Sequence, residues 1–114
     1  MNTLAREQFV QAARQHGQFV REGDATGSNA AYSQLSSALP KLRAEPDAGA
    51  SFLMDLLSES DPSVVTWAAL YLLPFDERAS IAALEKVAES GIPRLALNAA
   101  MTLKEWRAGR LKID

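Results

Sequence analysis

Apolar residues recur three and four apart along most of this chain, the spacing of helices that bury one face. The pattern predicts a first helix over 4–22, on which Leu4, Phe9, Ala12, Ala13, His16, Phe19 and Val20 fall together. A second helix is expected over 28–44, with Tyr32, Leu35, Leu39 and Leu42 as its stripe. Between them, "EGDATGSN" reads as a break over Glu22–Asn29, because glycine tolerates left-handed backbone and Asp, Ser and Asn compete for backbone hydrogen bonds. Four shorter helices follow, over 49–58, 62–73, 77–89 and 93–107. Their inward residues are expected to be Phe52, Leu53, Leu56 and Leu57, then Val65, Ala68, Ala69 and Leu72, then Ile81, Leu84, Val87 and Ala88.

The polar punctuation supports these boundaries. Asp61-Pro62 is a strong start signal: aspartate accepts from orphan amides, and proline at the first turn lacks the amide that goes unpaired. Asp47 or Ser51 is expected to cap the third helix, Gly91 to end the fifth, and Pro93 to open the sixth. Thr3 is a weak candidate cap for the first, with Arg6 where a capping box has Glu. Pro40 either kinks the second helix or ends it near Ala38, since proline inside a helix removes a donor and costs about 3 kcal/mol.

The chain also repeats itself. A shift of 31 residues lays Leu53 on Leu84, Leu56 on Val87, Leu57 on Ala88, Pro62 on Pro93, Val65 on Ala96, Ala68 on Ala99, Ala69 on Ala100 and Leu72 on Leu103. The unit is a helix, a tight turn and a proline-started helix. Such a pair cannot bury its own apolar face, so neighbouring pairs must stack. The expected fold is all-α: about six helices in stacked antiparallel pairs forming one domain over 1–114. Residues 4–44 make a divergent N-terminal pair, and 49–73 and 76–107 make the repeated pairs.

The stretch "LLSESDPSVVTWAALYLL" resembles a HEAT-type helical repeat, carried by Leu56, Leu57, Asp61-Pro62, Val65, Ala68-Ala69 and Leu72. Thr66 stands where such repeats often have arginine. Over about residues 5–108 the chain resembles a small bacterial family of unknown function. The pattern that carries this runs through Leu84, Glu85, Val87-Ala88, Ser90-Gly91, Pro93, Ala96, Ala100 and Leu103. The resemblance implies a HEAT-like α-α superhelix but no activity. It also implies one particular role to weigh, that of a bacterial toxin-neutralising (immunity-type) protein.

Composition narrows the chemistry. There is no cysteine, hence no disulfide or thiolate ligand. His16 is the only histidine, too few for a zinc site and expected to be structural or exposed. No phosphate-binding loop and no Ser-His-Asp grouping is spelled out, and Ser58, Ser60 and Ser63 read as capping residues. Catalysis, cofactors and metals are therefore not expected. Asp55 and Glu59, four apart, and Glu85 and Glu89 one unit later read as a solvated face, or as an acidic ridge for a basic partner. Twelve Lys/Arg against fourteen Asp/Glu give a net charge of −2, which argues against nucleic acid. The exception is Arg94–Lys112, with five basic residues against Glu105 alone. This basic C-terminal helix keeps a nucleic-acid binder or DNA-repair-like enzyme as an alternative. No apolar run suits a membrane span, and the N-terminal segment has no signal pattern, so a cytoplasmic location is expected.

The aromatics point to a partner. Tryptophan, tyrosine and arginine are favoured in interface hot spots, and repeat folds present one set of helices as a binding surface. The second helix of each pair supplies Thr66, Trp67 and Tyr71, then Asn98, Thr102, Trp106 and Arg107. These form the expected protein-binding surface, unless the tryptophans plug gaps between layers. A structural or homo-oligomeric subunit is the remaining alternative.

Overall fold

The computed structural model describes residues 3–113, which form α1 (Thr3–Glu22), α2 (Ala25–Arg43), α3 (Ala50–Leu56), α4 (Pro62–Leu72), α5 (Glu77–Ala88) and α6 (Leu95–Arg107). The all-α class is as expected, and no strand occurs among the described residues. None of the helices is long and apolar enough to cross a membrane. The chain divides into two units, 1–52 and 53–114, with the boundary inside α3.

In the first unit, α1 packs along α2. The expected eight-residue break shrinks to Gly23-Asp24. Gly23 takes positive φ, its amide donates to the Val20 carbonyl, and the Asp24 amide donates to the Phe19 carbonyl. This double closure ends α1, and glycine alone meets its left-handed requirement cheaply. The Asp24 side chain then accepts from the Gly27 amide at 2.8 Å and starts α2 at once. Gly27, expected in the loop, is therefore helical. A Cβ there would lie 2.5 Å from the Phe19 ring, so the close approach requires glycine.

The buried positions are rich in alanine: Ala5, Phe9, Ala12 and Ala13 on α1, and Ala31, Leu35, Ala38, Leu39 and Leu42 on α2. Small side chains let two helices come close. Leu4 and Tyr32, expected inward, are exposed. Thr3, the candidate cap, is itself helical. α2 does not end near Ala38: Pro40 lies inside it and the helix runs on to Arg43. Pro40 and Ser36 both occupy exposed positions, where the carbonyl that proline leaves unpaired can turn to water.

The loop after α2 is tied back to α1. Glu45, nearly buried, takes two hydrogen bonds from the Arg6 guanidinium. The same guanidinium lies 4.8 Å from the Phe52 ring centroid, and Phe52 meets Phe9 edge-on at 6.3 Å. Asp47, rather than Ser51, organises the start of α3 by accepting from the Gly49 and Ser51 amides at 3.0 and 2.9 Å. Hydrogen bonds from Ser51, with a smaller one from Gly49, hold the Asp47 carboxyl below its ordinary pKa.

The second unit contains the end of α3 and all of α4–α6. Asp61 accepts from the Ser63 amide at 2.8 Å with Pro62 at the first helical position, and Asp76 accepts from the Ala79 amide at 3.1 Å. α4 packs on α5, α5 on α6, and α4 to a lesser extent on α6. Val65, Ala69 and Leu73 share one buried cluster with Leu84, Val87, Leu95, Ala99 and Leu103, and Leu57, Ile81 and Trp106 pack against it. α4 is buried on most of its circumference, including Val64, Ala68, Tyr71 and Leu72. Ser63 is no cap: it is wholly buried, and like Ser80 its hydroxyl finds no hydrogen-bond partner among the described residues.

α6 begins two residues after Pro93, behind Arg94 at positive φ with no side-chain cap. It ends as α1 does. Gly109 takes positive φ and donates to the Trp106 carbonyl, and the Arg110 amide donates to the Glu105 carbonyl. That turn brings Leu111 and Ile113 against the core cluster. The repeat is visible in burial. Leu53 and Leu84, Leu56 and Val87, Ala68 and Ala99, and Leu72 and Leu103 are buried as pairs. Ala69 and Ala100 break the correspondence, since the first is buried and the second exposed.

Gly27→Ala is expected to lower stability by about 1–3 kcal/mol, since overpacking against Phe19 outweighs the gain of about 1 kcal/mol that alanine brings to a helix. Urea unfolding followed by circular dichroism tests this, and a raised midpoint would contradict the close approach.

Candidate functional site

The seven residues expected to form a binding surface lie on α4 and α6, but they do not form one exposed patch. Tyr71 is buried, at 8% exposure, and Trp67 is half-buried. Their rings stack at 5.9 Å with 21° between planes, as two aromatics one helical turn apart can. The Thr66 hydroxyl donates to the Pro62 carbonyl and the Thr102 hydroxyl to the Asn98 carbonyl, so both serve their own helices. Trp106 packs against the core cluster. Asn98 and Arg107 are exposed. Trp67, Tyr71 and Trp106 are thus closer to the gap-filling alternative than to interface anchors.

The two most exposed large apolar side chains of this unit lie elsewhere on α6, ahead of Phe75 and Met54. Leu97 is 62% exposed and Met101 54%, one turn apart. Leu95, Ala99 and Leu103 are the buried stripe of the same helix, and at 100° per residue Leu97 and Met101 stand opposite it. Two apolar stripes on one helix were visible in the sequence as Leu97 and Met101 at a spacing of four.

Beside Met101, α5 and α6 enclose an open groove of about 590 Å³. Ala88, Ala100, Leu103 and Ala108 give it an apolar lining, Glu85 and Glu89 come from α5, and Lys104 and Arg107 come from α6. Arg107 reaches Glu85 at 3.4 Å, with both side chains about half exposed. Of the seven expected residues, Arg107 alone lines this groove.

The charges of the tail are largely engaged. Arg110 makes two hydrogen bonds to Glu105, at 2.7 and 3.0 Å, which depress the Glu105 pKa and raise that of Arg110. With Arg107 on Glu85, and Arg94 also engaged, the basic run is not a bare phosphate-binding stripe. The proposed acidic ridge is likewise interrupted at Glu85. Among the described residues, no three His, Asp or Glu side chains gather to hold a metal ion.

His16 sits half-buried on α1, and burial holds its pKa below the ordinary imidazole value. The unfolded chain therefore binds the proton more readily. The associated stability is full above the unfolded value of about 6.5 and declines as pH falls through the lower folded value. His16→Gln is expected to flatten the fall in urea midpoint between about pH 7 and pH 5. An undiminished slope in the variant would assign that dependence to other groups. Tyr71→Ala is expected to cost about 3 kcal/mol by emptying a buried site, whereas Thr66→Ala costs under about 1 kcal/mol. Thermal unfolding of the two variants distinguishes a packing residue from a surface one. No family model, no curated protein and no solved structure matches this chain.

Proposed function

We propose that this chain is a non-catalytic protein-binding module of stacked helix pairs, HEAT-like in kind, that meets its partner through the outer side of α6. The reading rests chiefly on one observation: Leu97 and Met101 stand exposed together on the face opposite the buried stripe of their helix. An apolar pair on the solvent side of a helix gains free energy only when something covers it. Asn98 and Lys104 border the pair with polar groups, the arrangement of an apolar centre inside a polar rim. The partner surface differs from the earlier expectation in using these two residues in place of Trp67 and Tyr71. Asn98 and Arg107 remain part of it.

The test compares the wild-type chain with Leu97→Glu/Met101→Glu in affinity capture from native lysate of the source organism. Both positions are exposed, so folding stability should change by no more than about 0.5 kcal/mol each. The expected result is a discrete protein retained by the wild type and lost by the variant at unchanged helicity. Identical capture by both proteins would sink this placement. A concentration-dependent dimer that the variant abolishes, with no foreign protein captured, would replace the reading with self-association.

A further inference from the structure

We infer that the groove between α5 and α6 is a docking site for one amphipathic helix of a partner protein, with oppositely charged flanks. The inference deepens the proposed binding role and rests on it. Its first support is the internal repeat. Under the 31-residue shift, Leu57 of the segment before α4 and Val65, Ala69 and Leu73 on and just beyond α4 correspond to Ala88, Ala96, Ala100 and Lys104. In the earlier copy these residues belong to, or pack against, the cluster that holds Leu84 and Val87 of α5, with Ile81 packed against it. The position of the groove is thus the place that α5 takes one repeat earlier. In the later copy Ala100 is exposed, and Ala88, Ala100, Leu103 and Ala108 line an open channel.

Charge complementarity supplies the second support. Glu85 and Glu89 stand on one wall, and Lys104 and Arg107 on the other. A helix lying between them needs an apolar stripe toward the alanines, cationic residues toward α5 and anionic residues toward α6. Turning such a helix end for end exchanges its flanks, so the two walls also select its direction. The Glu85–Arg107 contact, long and half exposed, holds little free energy and can be exchanged for contacts to the partner. A second copy of the chain offering the same groove would set one concavity against another and leave a void.

Two helical peptides of about twenty residues serve as probes, long enough for measurable helicity. Both carry a stripe with the spacing of Ile81, Leu84 and Val87. The first has lysines on one flank and glutamates on the other, and the second has glutamine on both. Fluorescence anisotropy with the full chain is expected to show saturable binding of the first probe, about tenfold tighter than the second at low salt, with the difference shrinking as salt is added. Ala100→Arg, which fills the channel, should weaken binding by about tenfold or more. Lys104→Glu, at an exposed position, gives an independent readout should Ala100→Arg fail to fold. Reversing both walls together (Glu85→Lys, Glu89→Lys, Lys104→Glu, Arg107→Glu) should restore binding with the peptide direction inverted, read by energy transfer from a donor at one peptide end.

Equal affinity for the two probes, or binding indifferent to both Ala100→Arg and Lys104→Glu, overturns the inference. So does a wild-type dimer that Ala100→Arg dissociates while probe binding is unchanged. If neither probe binds, yet Leu97→Glu/Met101→Glu still loses a captured protein, the groove fails and the wider binding role stands.

Discussion

Short helices cannot leave their first amides unpaired, and this chain meets that constraint with aspartate. Asp24, Asp61 and Asp76 cap α2, α4 and α5, and Asp47 gathers the amides ahead of α3. Each such cap is worth about 1 kcal/mol, a large share of what a helix of two or three turns can supply by itself. Caps also set where a helix starts. With α4 beginning at Pro62, Val65, Ala69 and Leu73 line up for one cluster. A start one residue later would not alter the 100° spacing, but it would leave Asp61 without its amide.

The second recurrent device is glycine after a helix. Gly23 and Gly109 adopt the left-handed backbone that reverses the chain, each with the same pair of closing hydrogen bonds. The consequences differ. After α1 the reversal leads within one residue to a new cap, so α2 returns along α1. After α6 it carries Leu111 and Ile113 onto the core cluster, giving these two residues a packing role. α6 itself lacks an aspartate cap and starts behind a strained Arg94. It also carries an exposed apolar pair opposite its buried stripe, and the surface proposed for binding is built on it.

The proposed function lies in what packing leaves over. α4 and α6 correspond in sequence, yet α4 is covered on most sides and α6 on one. The aromatics that looked like interface anchors, Trp67 and Tyr71, sit on the covered helix and stack on each other. On α6 the uncovered apolar positions are Leu97, Ala100 and Met101, beside a channel with acid on one wall and base on the other. Hot-spot residue types are a guide to interfaces only when their helix is free to meet a partner.

The linear chain by itself determined the helical class, the number of helices and most of their buried stripes. Helical periodicity and Asp/Pro/Gly punctuation are local effects, readable over a few residues. It also determined the 31-residue repeat, which reappears as matched burial of Leu53 with Leu84 and Leu72 with Leu103. Tertiary structure decided the rest. Gly27 lies in α2 because Asp24 caps the helix ahead of it, and Phe19 passes too close there for a Cβ, a distance between two helices that a single sequence does not display. Pro40 lies inside α2 at an exposed position, where tertiary context overrides propensity. Ala69 and Ala100 are the same residue at the same place in the repeat. One is buried and the other open because burial depends on which helix comes next in space.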